Sequence, residues 1–176
     1  MSPEPHPDDR DNFEIGKAVA FAISERESLG LAGFEHKRRG GGAWGLCDTI
    51  THIIKIEFRG RHVDESKRHK PCTLWNEMPR YLDDTMKTIA HELAHLRYQY
   101  HGKAHTAYTN ELYADVRNLW IEYRRNAVRC PQCKALIAYV DGAFFDRYVR
   151  DDETSLIAPF CDEACADAYH GTKEVA

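Results

Sequence analysis

The pentapeptide His91-Glu92-Leu93-Ala94-His95 holds the residues best suited to chemistry in this chain. Residues four apart on a helix project from nearly one face. Both imidazoles can therefore reach one zinc ion, with the intervening glutamate pointing toward the ion's open side. A chain of this composition contains such a match by chance roughly 0.04 times, and here it lies inside a strongly amphipathic segment. A catalytic zinc takes three protein ligands and leaves one position to water, so a third donor is needed. His101 is the first candidate. In an unbroken helix it would lie about 9 Å along the axis from His95 and about 120° round it, too far to share the ion. The helix must stop first, and Gly102 offers a flexible backbone for the break. His105 substitutes if the turn is wider.

Glu111 is the third candidate. Asn110-Glu111-Leu112-Tyr113-Ala114-Asp115 resembles the element by which gluzincin peptidases supply a glutamate from a following helix. The plainer alternative places Glu111 and Asp115 on a solvated face or in a hydrogen bond to a ligand histidine. A second constellation is made of thiols. Cys130-Pro131-Gln132-Cys133 forms a tight turn that aims two thiolates at one point. Cys161-Asp162-Glu163-Ala164-Cys165 presents two more from a helix start, since Asp162 and Glu163 favour a first turn. The segment 130–176 is short enough that an apolar core alone would hardly hold it, which motivates a structural zinc on Cys130, Cys133, Cys161 and Cys165. Unpaired thiols, or His170 in place of one cysteine, are the alternatives. Cys47 and Cys72 have no evident partners and are expected to be buried thiols.

The elements that must position these groups are legible from periodicity. Phe13, Ile15, Val19, Ala22 and Ile23 recur at helical spacing over 12–29, with Asp11 or Asn12 as N-cap and Gly30 and Gly33 as terminators. Residues 43–47 and 51–58 are rich in aromatic and β-branched side chains and read as strands. Pro79 opens a helix running to about Tyr100, with Leu82, Met86, Ile89, Leu93 and Leu96 as its buried stripe. A further helix, about 104–127, buries Tyr108, Leu112, Val116, Leu119 and Tyr123. Ile137 to Val140 and Ala143 to Phe145 read as a hairpin around Asp141-Gly142. These elements predict an α+β protein: a small antiparallel sheet packed with helices, one carrying the histidines, plus a small C-terminal zinc-finger module. The expected division is a disordered polar tail over 1–11, a catalytic domain over 12–128 and the zinc module over 129–176.

The run His91 to Leu96, followed by His101-Gly102-Lys103-Ala104-His105, resembles the HELAHL…H(G/S)xxF/W signature of SprT-like and YgjP-like zinc metallopeptidases. Trp44-Gly45-Leu46-Cys47 is similar to the Trp-Gly-Ser-Cys strand that precedes this helix in the YgjP-like branch, again followed by an apolar strand. The likeness spans roughly residues 36 to 110. The chain departs from the family at Leu46, where serine is usual, and at His105, where a bulky aromatic is usual. The resemblance implies a catalytic zinc on His91, His95 and His101. It also implies Glu92 as the general base that takes a proton from the attacking water and returns it to the leaving amine. Phe160 to Cys165 resembles the Phe-Cys-Ser-x-x-Cys ending of treble-clef zinc fingers, a frequent companion of SprT-like domains.

Composition describes a soluble globular chain with enough apolar material for a core. Of the 176 residues, 43% are hydrophobic and 30% charged, and the formal net charge is −4. Length excludes a large multidomain machine, and no apolar run is long enough to span a membrane. The first residues lack the basic start and apolar stretch of a secretory signal, and the expected location is the cytoplasm. Charge is uneven: residues 31–70 hold nine basic against five acidic side chains, and 130–176 hold four against nine. The basic band comprises His36-Lys37-Arg38-Arg39, Arg59, Arg61 and Lys67-Arg68-His69-Lys70. It is a candidate surface for DNA, because SprT-like proteases act on DNA-associated proteins; a solvated loop face is the plain alternative. Two functions follow: a zinc endopeptidase, or a non-catalytic zinc-stabilised adaptor that binds nucleic acid or protein.

Overall fold

The computed structural model describes residues 7–37, 43–58, 80–138, 144–149 and 155–173. The chain divides into two compact units, residues 1–121 and 122–176. In the first unit, α1 (Pro7–Arg26) leads to three short strands, β1 (Gly33–His36), β2 (Gly45–Asp48) and β3 (Ile53–Ile56). Then come α2 (Arg80–His95) and α3 (Lys103–Asn126), whose last turn falls in the second unit.

α1 begins upstream of the expected cap, because a proline's fixed φ suits a first helical position. Residues 7–11, read from sequence as tail, are thus helical, and Asn12 is buried within the helix instead of capping it. The helix closes where Ser28 turns left-handed (φ 54°) and the Leu29 N–H bonds to the Ser24 carbonyl at 2.9 Å. Gly33 therefore opens a strand and does not end the helix.

The α+β class is as expected, but the sheet is mixed. Its order is β1-β3-β2, with β2 antiparallel to β3 (Gly45↔Ile56) and β1 parallel to it (Gly33↔Ile53). The β2–β3 pair is local. Its turn is held by the Asp48 carboxylate, which accepts the N–H groups of Ile50 at 2.9 Å and Thr51 at 3.1 Å. β1 is four residues long and pairs with a partner remote in sequence, which leaves little periodic signal to read.

α2 ends at His95, short of the expected Tyr100, and the N–H groups of Leu96, Arg97 and Tyr98 close its last turn on Leu93 and Ala94. Its stripe of Leu82, Met86, Ile89 and Leu93 is buried, while Leu96, beyond the end, is half-buried. In α3 the buried row is Leu112, Val116 and Trp120 at steps of four; the expected Leu119 is half-buried. These rows meet α1 at Gly16, where an added Cβ would stand 3.1 Å from Phe58 and 3.2 Å from both Ile89 and Trp120.

In the second unit, β4 (Val128–Arg129) pairs antiparallel with β5 (Leu136–Ile137), and β6 (Phe144–Val149) with β7 (Ser155–Phe160), followed by α4 (Glu163–Lys173). The expected hairpin is corrected: Ile137 pairs with Val128, and Phe144 with Phe160. The cysteine turn causes this, because Cys130 N–H bonds to Ala135 O and Lys134 N–H to Cys130 O, tying 128 to 137. Cys130, Ile137, Phe160, Ala166 and Tyr169 form this unit's core. Pro79, Cys72, Asp141-Gly142 and the basic residues 38, 39, 59, 61 and 67–70 lie outside the described residues. Among the described residues, no helix is long and apolar enough to cross a membrane.

Candidate metal centres

α2 delivers two imidazoles from one face, as the i, i+4 spacing requires, with His91 Nε2 and His95 Nε2 3.2 Å apart. His101 arrives from the α2–α3 turn, its Nε2 3.1 Å from that of His91. His105, in the first turn of α3, completes the group: one ligand atom from each of the four rings lies within 4.8 Å of the others. Glu111 is exposed and outside the group, and Asp115 pairs with Arg26 at 2.5 Å. The sequence thus named all four histidines but treated His101 and His105 as rivals, where the fold brings both in.

The segment between the helices is held from outside the cluster. The Arg97 guanidinium lies 4.5 Å from the centre of the Tyr108 ring, donates to the Glu27 carbonyl at 2.8 Å and approaches the Glu27 carboxylate at 3.6 Å. Tyr108 OH donates to the same carboxylate at 3.1 Å, and Tyr100 is exposed. Gly102 does not supply the expected flexibility. Its φ is not left-handed, open space surrounds it, and its carbonyl accepts the Thr106 N–H at 2.9 Å to start α3. The break comes from α2 ending at His95.

Burial and the neighbouring rings of His105, His95 and His101 push the His91 imidazole down to about 4. His95 is lowered by burial and by His101, against the pull of the Tyr98 and Gln99 backbone. His105 is lowered by burial, His95 and His101, against the backbone of His91. Neutral imidazoles with free lone pairs are the form that binds a metal.

Glu92, next to His91 in α2, is buried against β2. Burial raises its carboxyl to about 7, opposed by a hydrogen bond from the Cys47 N–H. The close approach depends on Gly45, where an added Cβ would meet Glu92 Oε1 at 2.5 Å, Thr88 Cγ2 at 2.6 Å and Glu92 Cγ at 2.7 Å. The sequence places Gly45 in a strand, and no local pattern shows what its missing Cβ admits. Cys47 is half-buried, and burial, Glu92 and Asp48 together hold its thiol up at about 12.

The four C-terminal cysteines also converge, one sulfur from each lying within 4.8 Å of the rest and Cys133 Sγ 3.3 Å from Cys161 Sγ. Asp162, expected in the first turn, instead caps α4, accepting the Cys165 N–H at 2.8 Å. Burial raises the Cys130 thiol, yet the N–H groups of Cys133, Cys161 and Gln132 outweigh it and hold Cys130 down at about 7. Burial and the neighbouring sulfurs raise Cys161 and Cys165. A cluster that favours the Cys130 thiolate while Cys161 and Cys165 resist ionising is one that a cation would complete.

Both donor sets are close enough for one ion to be shared among them. Zn–N bonds of 2.0–2.1 Å place ligand nitrogens about 3.3 Å apart, and Zn–S bonds place sulfurs about 3.8 Å apart. A buried polar atom supports the same fit: His105 Nε2 has no hydrogen-bond partner. The protein therefore has two potential metal sites, one of four histidines and one of four cysteines. No family model, curated protein or solved structure matches this chain.

Proposed function

We propose that the chain is a zinc-dependent endopeptidase of SprT/YgjP-like type, with its catalytic metal on His91, His95 and His101 and a structural zinc on the four cysteines. The observation that carries this reading is the pairing of the histidine cluster with Glu92, a buried carboxyl poised near neutrality one residue from His91. Zinc bound there supplies a Lewis acid that polarises a peptide carbonyl and acidifies a water. The chain's own residues do the rest. Glu92 accepts a proton from the attacking water and delivers it to the leaving amine; the Cys47 N–H orients the carboxylate, and Gly45 leaves room for it. α2 and the turn held by Arg97 fix the imidazoles before substrate arrives, so little reorganisation is needed at reaction. The cysteine centre holds its turn, the end of β7 and the start of α4 together in a treble-clef-like module.

His105 favours a second reading, a non-catalytic zinc-stabilised adaptor, because four imidazoles make a closed site. DNA-associated proteins as substrates are part of the first reading. Of the described band residues, Lys37 approaches Glu57 at 3.9 Å and the His36 ring stacks on Phe58. The test is the zinc content and casein cleavage of the full chain and its Glu92→Gln variant. The peptidase reading expects two zinc ions per chain in both and cleavage only in the parent. Equal cleavage in both, or none in either, favours the adaptor.

A further inference from the structure

We propose that His105 is the fourth ligand of the histidine centre at rest, so that the position a peptidase needs for water and substrate is closed until this ring leaves. This inference rests on the proposed peptidase reading for its consequence, but its geometry stands independently. His105 belongs to a different helix from the His91–His95 pair, and the fold buries it to 2% exposure among the other three rings. Ring centroids lie 4.7 Å from His91, 4.2 Å from His95 and 5.1 Å from His101. Those distances match the ones among the other three rings, 4.8 to 5.0 Å, so His105 stands around the same point and not behind it.

Its bonding points the same way. The ring interacts with the His91 backbone, while Nε2 is buried and without a hydrogen-bond partner. An imidazole that donates one N–H to a carbonyl presents the other nitrogen as a bare lone pair, as metal-ligating histidines do. A buried lone pair left unmet is costly, and a cation at the centre of the rings would meet it. Four protein ligands mark closed, structural sites, whereas hydrolytic sites keep one position open. Here a buried carboxyl for catalysis and a fourth imidazole for closure occupy one site.

The test uses the zinc-loaded full chain with 15N-labelled histidine, counting imidazole nitrogens that carry the metal-bound shift, and acetohydroxamate as a probe of the exchange position. We expect four metal-bound rings among the chain's 10 histidines, and three in His105→Phe. If the position is open in about a tenth of molecules, His105→Phe binds acetohydroxamate about tenfold more tightly, and His105→Asn shows the same gain. Three bound rings in the parent, with His105 free, overturn the proposal, as does an unchanged hydroxamate affinity in both variants. An unchanged tryptophan emission and urea transition, which report the unit 1–121 that holds His105, show that the variants are folded. A variant that gains hydroxamate affinity yet cleaves no peptide sinks the peptidase reading and leaves the fourth ligand standing. Three rings in the parent with cleavage lost in Glu92→Gln does the reverse.

Discussion

Gly45→Ala drives β2 and α2 apart at the point where Glu92 lies. A Cβ at 2.5 Å from Glu92 Oε1 must retreat by about 0.9 Å to reach ordinary contact, and Thr88 Cγ2 at 2.6 Å blocks the neighbouring direction. Overpacking of this kind costs about 1 to 3 kcal/mol, which moves a urea midpoint by about 1 M at a typical slope. Residues 122–176 contain no tryptophan, so tryptophan fluorescence does not report the unfolding of that unit and follows the unit 1–121. Two of the three close approaches are to Glu92, so the substitution should cost about half as much in a Glu92→Ala background. The double-mutant cycle should therefore show a coupling of about 1 kcal/mol. Metal content should hold at both sites. Displacing a catalytic carboxylate by nearly 1 Å should reduce casein cleavage about 100-fold. A Gly45→Ala protein as stable as its parent, or a cycle with no coupling, refutes the claim that this glycine makes room for Glu92.

Arg97→Ala removes the guanidinium that stacks on Tyr108 and bonds to Glu27. Zinc affinity at the histidine centre should fall about tenfold with the fold intact, read by chelator competition against the unaffected cysteine centre. Cys165→Ser should lower zinc content from two equivalents to one and collapse the dispersed amide signals of residues 122–176, leaving the tryptophan transition unchanged. Asp83 is partly desolvated, but Lys87 (2.6 Å) and the Tyr113 hydroxyl stabilise its charged form and hold its pKa below the ordinary value. Its stabilisation is therefore present above the unfolded pKa of about 3.9 and lost as pH falls through the folded value. Asp83→Asn should lower the urea midpoint at neutral pH and flatten its decline below about pH 4.

What could be read locally was read from the sequence. The His91–His95 pair, the two cysteine pairs, the helix start beside Cys161 and the buried row of α2 each depend on spacing within one turn or one helix, which residue order determines directly. Phase errors arose where a neighbour decides. Trp120 took the place expected for Leu119 because the face of α3 is set by what it packs against, and β1 went unseen because its partner, β3, is not its neighbour in the chain.

The composition of the histidine centre belonged to tertiary structure. Whether His101, His105 or both reach the α2 pair depends on where α2 stops and how α3 crosses it, a relation between elements that no local period encodes. The same is true of the absent side chain at Gly45, whose meaning is the distance to Glu92 on another element, and of the two cysteine pairs, which meet only once β7 has returned to the first turn. Sequence determined which ligands exist; packing decided which of them share a point in space.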